Sequence, residues 1–234
     1  MISVCIASYN GGLYIKEQLD SILSQIGESD EVIVSDDFST DNTVDVIKSI
    51  NDNRIILLNN STGHGVNYNF ENALRHAKGD YIFLADQDDV WLPGKVAKCV
   101  AALEDADCVV HDAIVVDSNL EIHEESFFKS RNSGKGFIKN IYKNTYLGCC
   151  MAFKSKILKD ALPIPKTKSF YHDNWIGGIA DLKYNLVFLP EKLILFRRHD
   201  HNTSSTANDS NYSFTTQLWN RLVQVTYTII RMIF

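Results

Sequence analysis

Short apolar runs open the chain, each followed by a stretch whose apolar residues recur every three or four positions. Ile2 to Ala7, Glu31 to Ser35 and Arg54 to Leu58 are aliphatic or β-branched and too short for helices. Tyr81 to Ala85 is apolar throughout, which predicts a strand buried on both faces, as in a parallel sheet. Between these runs, Leu13 to Gln25 puts Ile15, Leu19, Ile22 and Leu23 on one helical face. Ser39 or Thr40 can cap a second helix with Asp41 in its first turn, and Phe70, Ala73, Leu74 and Ala77 mark a third that Gly79 ends. Strand and helix thus alternate over roughly the first 90 residues. The pattern predicts an α/β fold with a mostly parallel, doubly wound sheet and helices on both faces. Its loops after Ala7, Ser35, Leu58 and Ala85 share one rim.

The regularity weakens after Leu103. Two strands are expected near 108–110 and 113–117, then a long functional or mobile loop over 119–144. A strand of small residues at 149–153, a helix from about Tyr171 to Asp181 and two strands at 186–188 and 192–196 follow. Residues 202–211 are rich in Asn, Ser and Thr, as in a linker. In the last segment Gln217, Asn220, Arg221, Gln224, Thr228 and Arg231 form one narrow polar stripe of a helix that is otherwise apolar. Such a helix packs on the domain or lies in a membrane interface. Trp219, two arginines and the lack of any acid favour the interface. One domain over 1–207 and a linker with an amphipathic helix over 208–234 is the resulting division.

Composition narrows the class. A chain of 234 residues can bury a full core. Its net charge of −6 argues against nucleic acid as a partner. The five cysteines form no C-x-x-C pair and read as reduced core thiols. No basic-then-apolar leader precedes Ile2, and no run of about 18 apolar residues occurs. These features suggest a cytoplasmic protein, peripheral at the inner face of the plasma membrane.

Candidate chemistry collects on the rim. Asp86, Asp88 and Asp89 appear together at the end of the apolar strand. Carboxylates so crowded repel one another and suit a divalent cation, or else cap the helix expected from about Leu92. Asp37, ending the second strand, can accept hydrogen bonds from a nucleotide or cap a helix. Asp173, among Phe170, Tyr171 and Trp175, is an active-site base facing a sugar ring or a helix-starting acid. Arg197, Arg198, His199 and His201 are a solvated basic turn or a phosphate and metal contact. No G-x-G-x-x-G or P-loop is present, and a calcium loop from Asp86 lacks its Gly and terminal Glu.

Six motifs in order over about residues 1–204 give the chain a close resemblance to the family 2 glycosyltransferases. They are Ser8-Tyr9-Asn10, Val34 to Asp41, Gly79-Asp80-Tyr81 leading to Asp86-Gln87-Asp88-Asp89, Gly148 with Met151-Ala152-Phe153, His172-Asp173-Asn174-Trp175, and Arg197…His199. The likeness is nearest to bacterial cell-surface polysaccharide enzymes of the rhamnosyltransferase-like type. It implies a GT-A fold and inverting transfer from a UDP- or dTDP-sugar to a saccharide or lipid-linked acceptor. In that pattern Ala7, Ser8, Tyr9, Asp37, Asn69, Asp86, Gln87 and Arg197 meet the nucleotide-sugar. Asp88, Asp86 and His199 hold Mg2+ or Mn2+, and Asp173 is the base. Gly148, His172, Asn174 and Trp175 meet the acceptor. Asn67-Tyr68-Asn69 stands where many members carry Ala-Arg-Asn, and Asn174 replaces a common aromatic or acidic residue. Two rivals are a haloacid-dehalogenase-like phosphatase using Asp86 and Asp88 in Asp86-Gln87-Asp88-Asp89-Val90, and an inactive nucleotide-sugar-binding subunit. A sugar nucleotidylyltransferase would need a glycine-rich loop after the first strand, which is missing.

Overall fold

A computed structural model describes residues 1–61, 63–199 and 213–233. Strands β1 (Ile2–Ser8), β2 (Glu31–Asp36), β3 (Ile55–Asn59) and β4 (Tyr81–Asp86) run parallel in the order β3-β2-β1-β4. Helices α1 (Ile15–Leu23), α2 (Thr43–Ile50) and α3 (Val66–His76) connect them. Val4, Cys5 and Ile6 of β1 and Ile82 to Ala85 of β4 are fully buried. Burying one large aliphatic side chain of this kind stabilises the fold by about 1.5–3 kcal/mol. Helix α1 lays Ile15, Leu19 and Ile22 on this sheet, as its spacing predicts. All four parallel strands therefore end on the rim that carries the candidate residues.

The second half of the sheet is mixed. Strand β8 (Met151–Lys154) lies antiparallel to β4, and β6 (Cys108–Val116) antiparallel to β8. Strand β9 (Leu186–Arg197) runs parallel to β6, with β5 (Val90–Trp91) antiparallel to β9 and β7 (Ile122–Glu124) on β6. The two strands expected over 108–117 are one. Asp112 interrupts the apolar run, but its carboxylate accepts Ala113 N, Phe128 N and Ser126 Oγ, so the strand continues through it. The two strands expected after 186 also merge. Pro190 and Glu191 fall between Leu189, opposite His111, and Lys192, opposite Asp112.

Other boundaries shift for local reasons. Helix α4 (Lys95–Asp105) begins after Leu92, because Val90 and Trp91 pair with β9 and Gly94 sits at φ 86°. The expected long loop at 119–144 instead contains β7, α5 (Phe127–Arg131) and α6 (Phe137–Tyr142), each too short to show a period. A 3₁₀ turn, Gly148–Cys150, leads into β8, and α7 (Leu158–Ala161) and α8 (His172–Lys183) follow. All five cysteines are buried and unpaired.

The last helix, α9 (Phe214–Ile233), packs against α6 and α8. It does so with its polar stripe. Gln224 and Thr228 are its buried residues, Arg221 donates to Tyr142 O at 3.0 Å, and Arg231 to Leu162 O at 2.7 Å. Val223 and Tyr227 also touch the domain, and most of its other apolar residues face outward. No helix among the described residues is long and apolar enough to cross a membrane. The linker at 202–211, the expected boundary at 207 and His201 lie outside the described residues.

Candidate functional site

The rim is assembled by loops that interlock before any ligand arrives. Past β1, Asn10 N donates to Ser39 Oγ (2.9 Å), Thr40 N to Asn10 Oδ1 (2.8 Å) and Gly11 N to Thr43 Oγ1 (2.8 Å), tying the first loop to the second. Gln87 brackets Tyr9 from the other side, accepting from Tyr9 N at 2.9 Å and donating to Tyr9 O at 3.0 Å. Glycine at position 11 leaves room for this bracket, since a Cβ there would lie 2.2 Å from Gln87 Oε1 and displace the side chain from Tyr9. The Tyr9 ring is left exposed at the mouth.

At the end of β2 the two neighbouring acids divide. Asp36 is consumed internally by Ser8 Oγ (2.9 Å), Ser39 Oγ (2.6 Å) and Ser39 N (2.8 Å). Asp37 is held by Asn60 Nδ2 (2.9 Å) and Gly65 N (2.8 Å), with His64 Nδ1 at 3.3 Å. Asn69 donates to Ser8 O at 2.9 Å, while its buried Oδ1 has no partner among the described residues.

The acids after β4 occupy three different environments. His199 Nε2 lies 2.8 Å from Asp88 Oδ2, and the His199 ring stacks on Tyr14 with centroids 4.9 Å apart. Asp86 is half-buried, and desolvation with the Asp88 and Asp173 carboxylates pushes it up to about 7. Asp89 is fully buried. Its Oδ1 accepts Arg197 N at 2.9 Å, Oδ2 has no partner among the described residues, and burial holds it far above the usual carboxylate range. Asp89 is therefore no helix cap, and it joins the loop to the end of β9.

Asp173 lies in the first turn of α8, buried, with Asn144 Nδ2 donating to Oδ2 at 3.2 Å and Asn174 N to Oδ1 at 2.7 Å. Burial pushes it up to about 6, the range in which a carboxylate serves as a base near neutrality. His172 beside it stacks on Phe70 at 3.7 Å, and burial lowers it to about 3, so the imidazole is neutral. Neither of its ring nitrogens has a hydrogen-bond partner among the described residues. Gly148 lies against the pair, and a Cβ there would stand 2.7 Å from His172 Nε2.

Three expected contacts are not offered to the cleft. Ser8 is fully buried with its hydroxyl on Asp36. Trp175 is a core residue, stacked with Phe170 and donating from Nε1 to Ala161 O at 2.7 Å. Arg197 is buried and spends its guanidinium on Asp88 O (2.7 Å), Ser118 O (2.8 Å) and the Glu17 carboxylate. It is a strut between β9 and the acidic loop, where a phosphate contact is expected from the sequence. Asn144 and Lys95 escape motif reading. Asn144 has no spacing signal. Lys95 has a faint one, a cation in the first turn of a helix, against the helix dipole. Its fully buried ammonium donates to Cys149 O at 2.7 Å over the Trp91 ring.

Two groupings can be weighed for a cation. Asp86, Asp89 and Cys149 each place a ligand atom within 4.8 Å of the others. Burial keeps the Cys149 thiol protonated and Asp89 already holds Arg197, so this grouping is a poor ligand set. Asp88 and the half-buried Asp86 offer carboxylate oxygens at the open end of the strands, the hard donors that Mg2+ or Mn2+ takes, with the His199 imidazole beside Asp88.

The chain matches glycosyl transferase family 2 over residues 3–162. WfgD of Escherichia coli, a UDP-Glc:alpha-D-GlcNAc-diphosphoundecaprenol beta-1,3-glucosyltransferase, is 34% identical over 183 residues, 77% of this chain and 70% of that one. The dTDP-rhamnosyl transferase RfbG of Shigella flexneri is 32% identical over 217 residues, 84% and 72% of the two chains. WfaP of Escherichia coli is 38% identical over 104 residues, of which this chain spans 41% of the length. Among solved structures, S. aureus TarS 1–349 in complex with UDP-GlcNAc superposes with a TM-score of 0.73 at 22% identity, covering 96% of this chain and 66% of that one. The mannosyltransferase PcManGT from Pyrobaculum calidifontis, in complex with GDP-Man and Mn2+, gives 0.64 at 20% identity, covering 98% and 64%. These superpositions show a shared GT-A fold.

Proposed function

The chain belongs to glycosyl transferase family 2, and on that premise we propose that it is an inverting glycosyltransferase. It moves a sugar from a UDP- or dTDP-sugar to a saccharide or lipid-linked acceptor in surface polysaccharide synthesis. The observation that carries this reading is that the Asp86 carboxylate lies within electrostatic reach of both Asp88 and Asp173, although more than 80 residues separate Asp173 from the other two in sequence. The two sides differ in chemistry. One offers a metal and diphosphate site, and the other a buried carboxylate raised to about 6. Donor names carried by the relatives support a UDP- or dTDP-sugar.

In this reading Tyr9, Asp37, Gln87 and the backbone at Ala7 receive the nucleotide, and Asn69 fixes the end of β1 beneath it. Asp88, His199 and Asp86 would hold Mg2+ or Mn2+, which supplies positive charge to the diphosphate when bound. Asp173 accepts the proton of the acceptor hydroxyl as that oxygen bonds to the anomeric carbon. The bond from that carbon to the diphosphate breaks at the same time, and the nucleoside diphosphate leaves with the electron pair, so the configuration inverts. Asn144 and Asn174 N orient the Asp173 carboxylate, and neutral His172 and Gly148 border the place where the two sugars meet. Residues 1–207 are the catalytic unit, and the helix that follows makes a peripheral membrane contact.

Calorimetry with UDP, with and without Mg2+ or Mn2+, tests the metal side. Binding should tighten with the ion in wild type and lose that gain in Asp88→Ala. Equal affinity with and without the ion in wild type would refute it. Purified protein that neither transfers from nor hydrolyses any nucleotide-sugar would favour a binding subunit. The phosphatase rival lacks support in the fold, since Asp86 to Val90 follows the fourth parallel strand and not the first.

A further inference from the structure

Helix α9 carries the opposite of a core-packing arrangement. Its polar stripe faces the domain, and its apolar stripe faces out. Leu218, Trp219, Leu222, Ile229, Ile230 and Ile233 are between 50% and 69% exposed, at positions that follow one another on a single helical face. The apolar surface does not stop at α9. Arg221 lies over the Tyr142 ring at 4.5 Å and donates to its carbonyl, which sets α6 beside α9. Ile138 and Tyr142, one turn apart on α6, are 77% and 72% exposed. Six aliphatic or aromatic side chains on one helix and two on its neighbour make a continuous patch of a kind water-soluble surfaces rarely carry without an occupant.

Charge identifies the occupant. The whole chain has a net charge of −6, yet residues 126–159 contain seven lysines, one arginine and no Asp or Glu. Lys139 of α6 and Lys143, just beyond its end, are exposed and adjacent in sequence to Ile138 and Tyr142. At the far end of α9 a cavity of about 430 Å3 is lined by Lys159, Lys183 and Arg231 together with Ile230 and Ile233. The one carboxylate there, Asp160, is paired with Lys183 at 2.9 Å. Apolar residues framed by cations at both ends match a layer with an apolar interior and an anionic surface.

We propose that α6 and α9 together form a docking face for an anionic lipid bilayer. The helix lies along the membrane with Trp219 and the aliphatic stripe in the acyl boundary. Lys139 and Lys143 meet the headgroups at one end, and the basic cavity meets them at the other. An interfacial helix commonly turns its own charges to the headgroups. Here Arg221 and Arg231 are held by the Tyr142, Asp160, Leu162 and Pro163 carbonyls, and lysines of the neighbouring elements add to their charge.

The face adjoins the Asp173 side of the site through the segment after α6. Asn144, one residue beyond Lys143, donates to Asp173, and Tyr227 of α9 packs edge-on against Phe170, which stacks on Trp175 of α8. A bilayer on this face would bring a lipid-anchored acceptor to the Asp173 side and leave the nucleotide rim to the aqueous donor. This use of the face rests on the transfer reading above. The lipid contact itself does not.

Co-sedimentation of the full chain with vesicles of phosphatidylcholine, and of an equal mixture of phosphatidylcholine and phosphatidylglycerol, tests the proposal. Binding should favour the mixed vesicles by about tenfold or more, and salt at about 0.5 M should remove the preference. Leu222→Ser with Ile229→Ser should lower binding to both vesicles by about tenfold or more. Lys139→Glu with Lys143→Glu should erase the preference for the anionic ones. All four positions are exposed, and stabilisation by UDP in thermal melts, read on the same samples, reports that the variants fold. No vesicle binding, equal binding to both compositions, or indifference to both double variants would overturn the proposal. So would a dimer in sedimentation equilibrium that the Leu222→Ser, Ile229→Ser variant dissolves, since a second copy would then cover the face. Failure to bind vesicles by a protein that UDP stabilises overturns the lipid face alone. Vesicle binding by a protein that no nucleotide stabilises overturns the transfer reading and keeps the face.

Discussion

Replacing Asp173 by asparagine should cost activity and add stability, with the gain confined to neutral and higher pH. The carboxyl is raised from 3.8 to about 6 because burial disfavours its charge. Between those two values the folded chain holds a proton that the unfolded chain has released. The destabilisation therefore grows as pH rises from about 4 and is complete somewhat above 6, where it amounts to about 3 kcal/mol. Asparagine carries no charge and escapes it. The amide keeps one acceptor where the carboxylate has two, so it cannot satisfy both Asn144 Nδ2 and Asn174 N, and the lost bond costs about 1 kcal/mol. The net gain is about 2 kcal/mol at pH 7.5, or roughly 4–8 °C in Tm for a chain of this size. At pH 4.5 it should shrink to near zero. Removing the charge also relieves Asp86, which Asp173 helps to raise, and this acts in the same direction.

The cost appears in transfer. Loss of a general base lowers the rate by roughly 10²–10⁴-fold, about 3–5 kcal/mol of barrier. UDP affinity should stay within about twofold, since Asp173 stands on the acceptor side. Thermal melts of both proteins at pH 4.5 and 7.5, with transfer and UDP calorimetry, supply the measurements. A variant equally destabilised at both pH values would show that the carboxylate is a structural ligand of Asn144. Transfer within tenfold of wild type would show that Asp173 is not the base.

Two further substitutions separate scaffold from site. Asp89→Ala strands Arg197 N in the core and should lower stability by about 1–3 kcal/mol. Asp89→Asn keeps an acceptor and should restore most of it, which urea denaturation midpoints resolve; equal loss in both would mean the Arg197 N bond is unimportant. Gly148→Ala puts a Cβ 2.7 Å from His172 Nε2 and should force the imidazole aside. The expected cost is about 1–3 kcal/mol of stability and a larger loss of transfer than of UDP affinity, and unchanged transfer would remove Gly148 and His172 from the sugar side.

The parallel half of the fold was open to sequence reading because its signal is local. Buried parallel strands have no alternation, and the run Tyr81 to Ala85 shows it without help from any other part of the chain. The same locality placed Asp37, Asp86 and Asp88 on one rim, since every right-handed crossover delivers strand ends to the same side. Where pairing is long-range, the reading failed for a definite reason. Asp112 looks like a break in β6, and only Ser126 and Phe128, at least 14 residues away, show how a buried carboxylate is tolerated there. Arg197 looks like a phosphate ligand, but its partners Glu17 and Ser118 lie about 80 to 180 residues away along the chain. An arginine's donors cannot be assigned by spacing when partners such as these lie so far along the chain.

The last helix shows the limit most clearly. Periodicity divides α9 into a narrow polar stripe and a broad apolar face but does not say which points inward. The usual presumption sends apolar residues to the core. Here the side of the domain facing α9 presents carbonyls to both of its arginines. These are Tyr142 O near one end and Asp160 O, Leu162 O and Pro163 O near the other. A helix packed over these carbonyls would bury them away from water unless it supplies donors, and the two guanidiniums supply them at both ends of the interface. Gln224 and Thr228 complete the buried stripe, with Thr228 Oγ1 donating back to Gln224 O at 2.9 Å. The orientation of α9 is thus set by the acceptors of its neighbours, and the outward apolar face is the consequence.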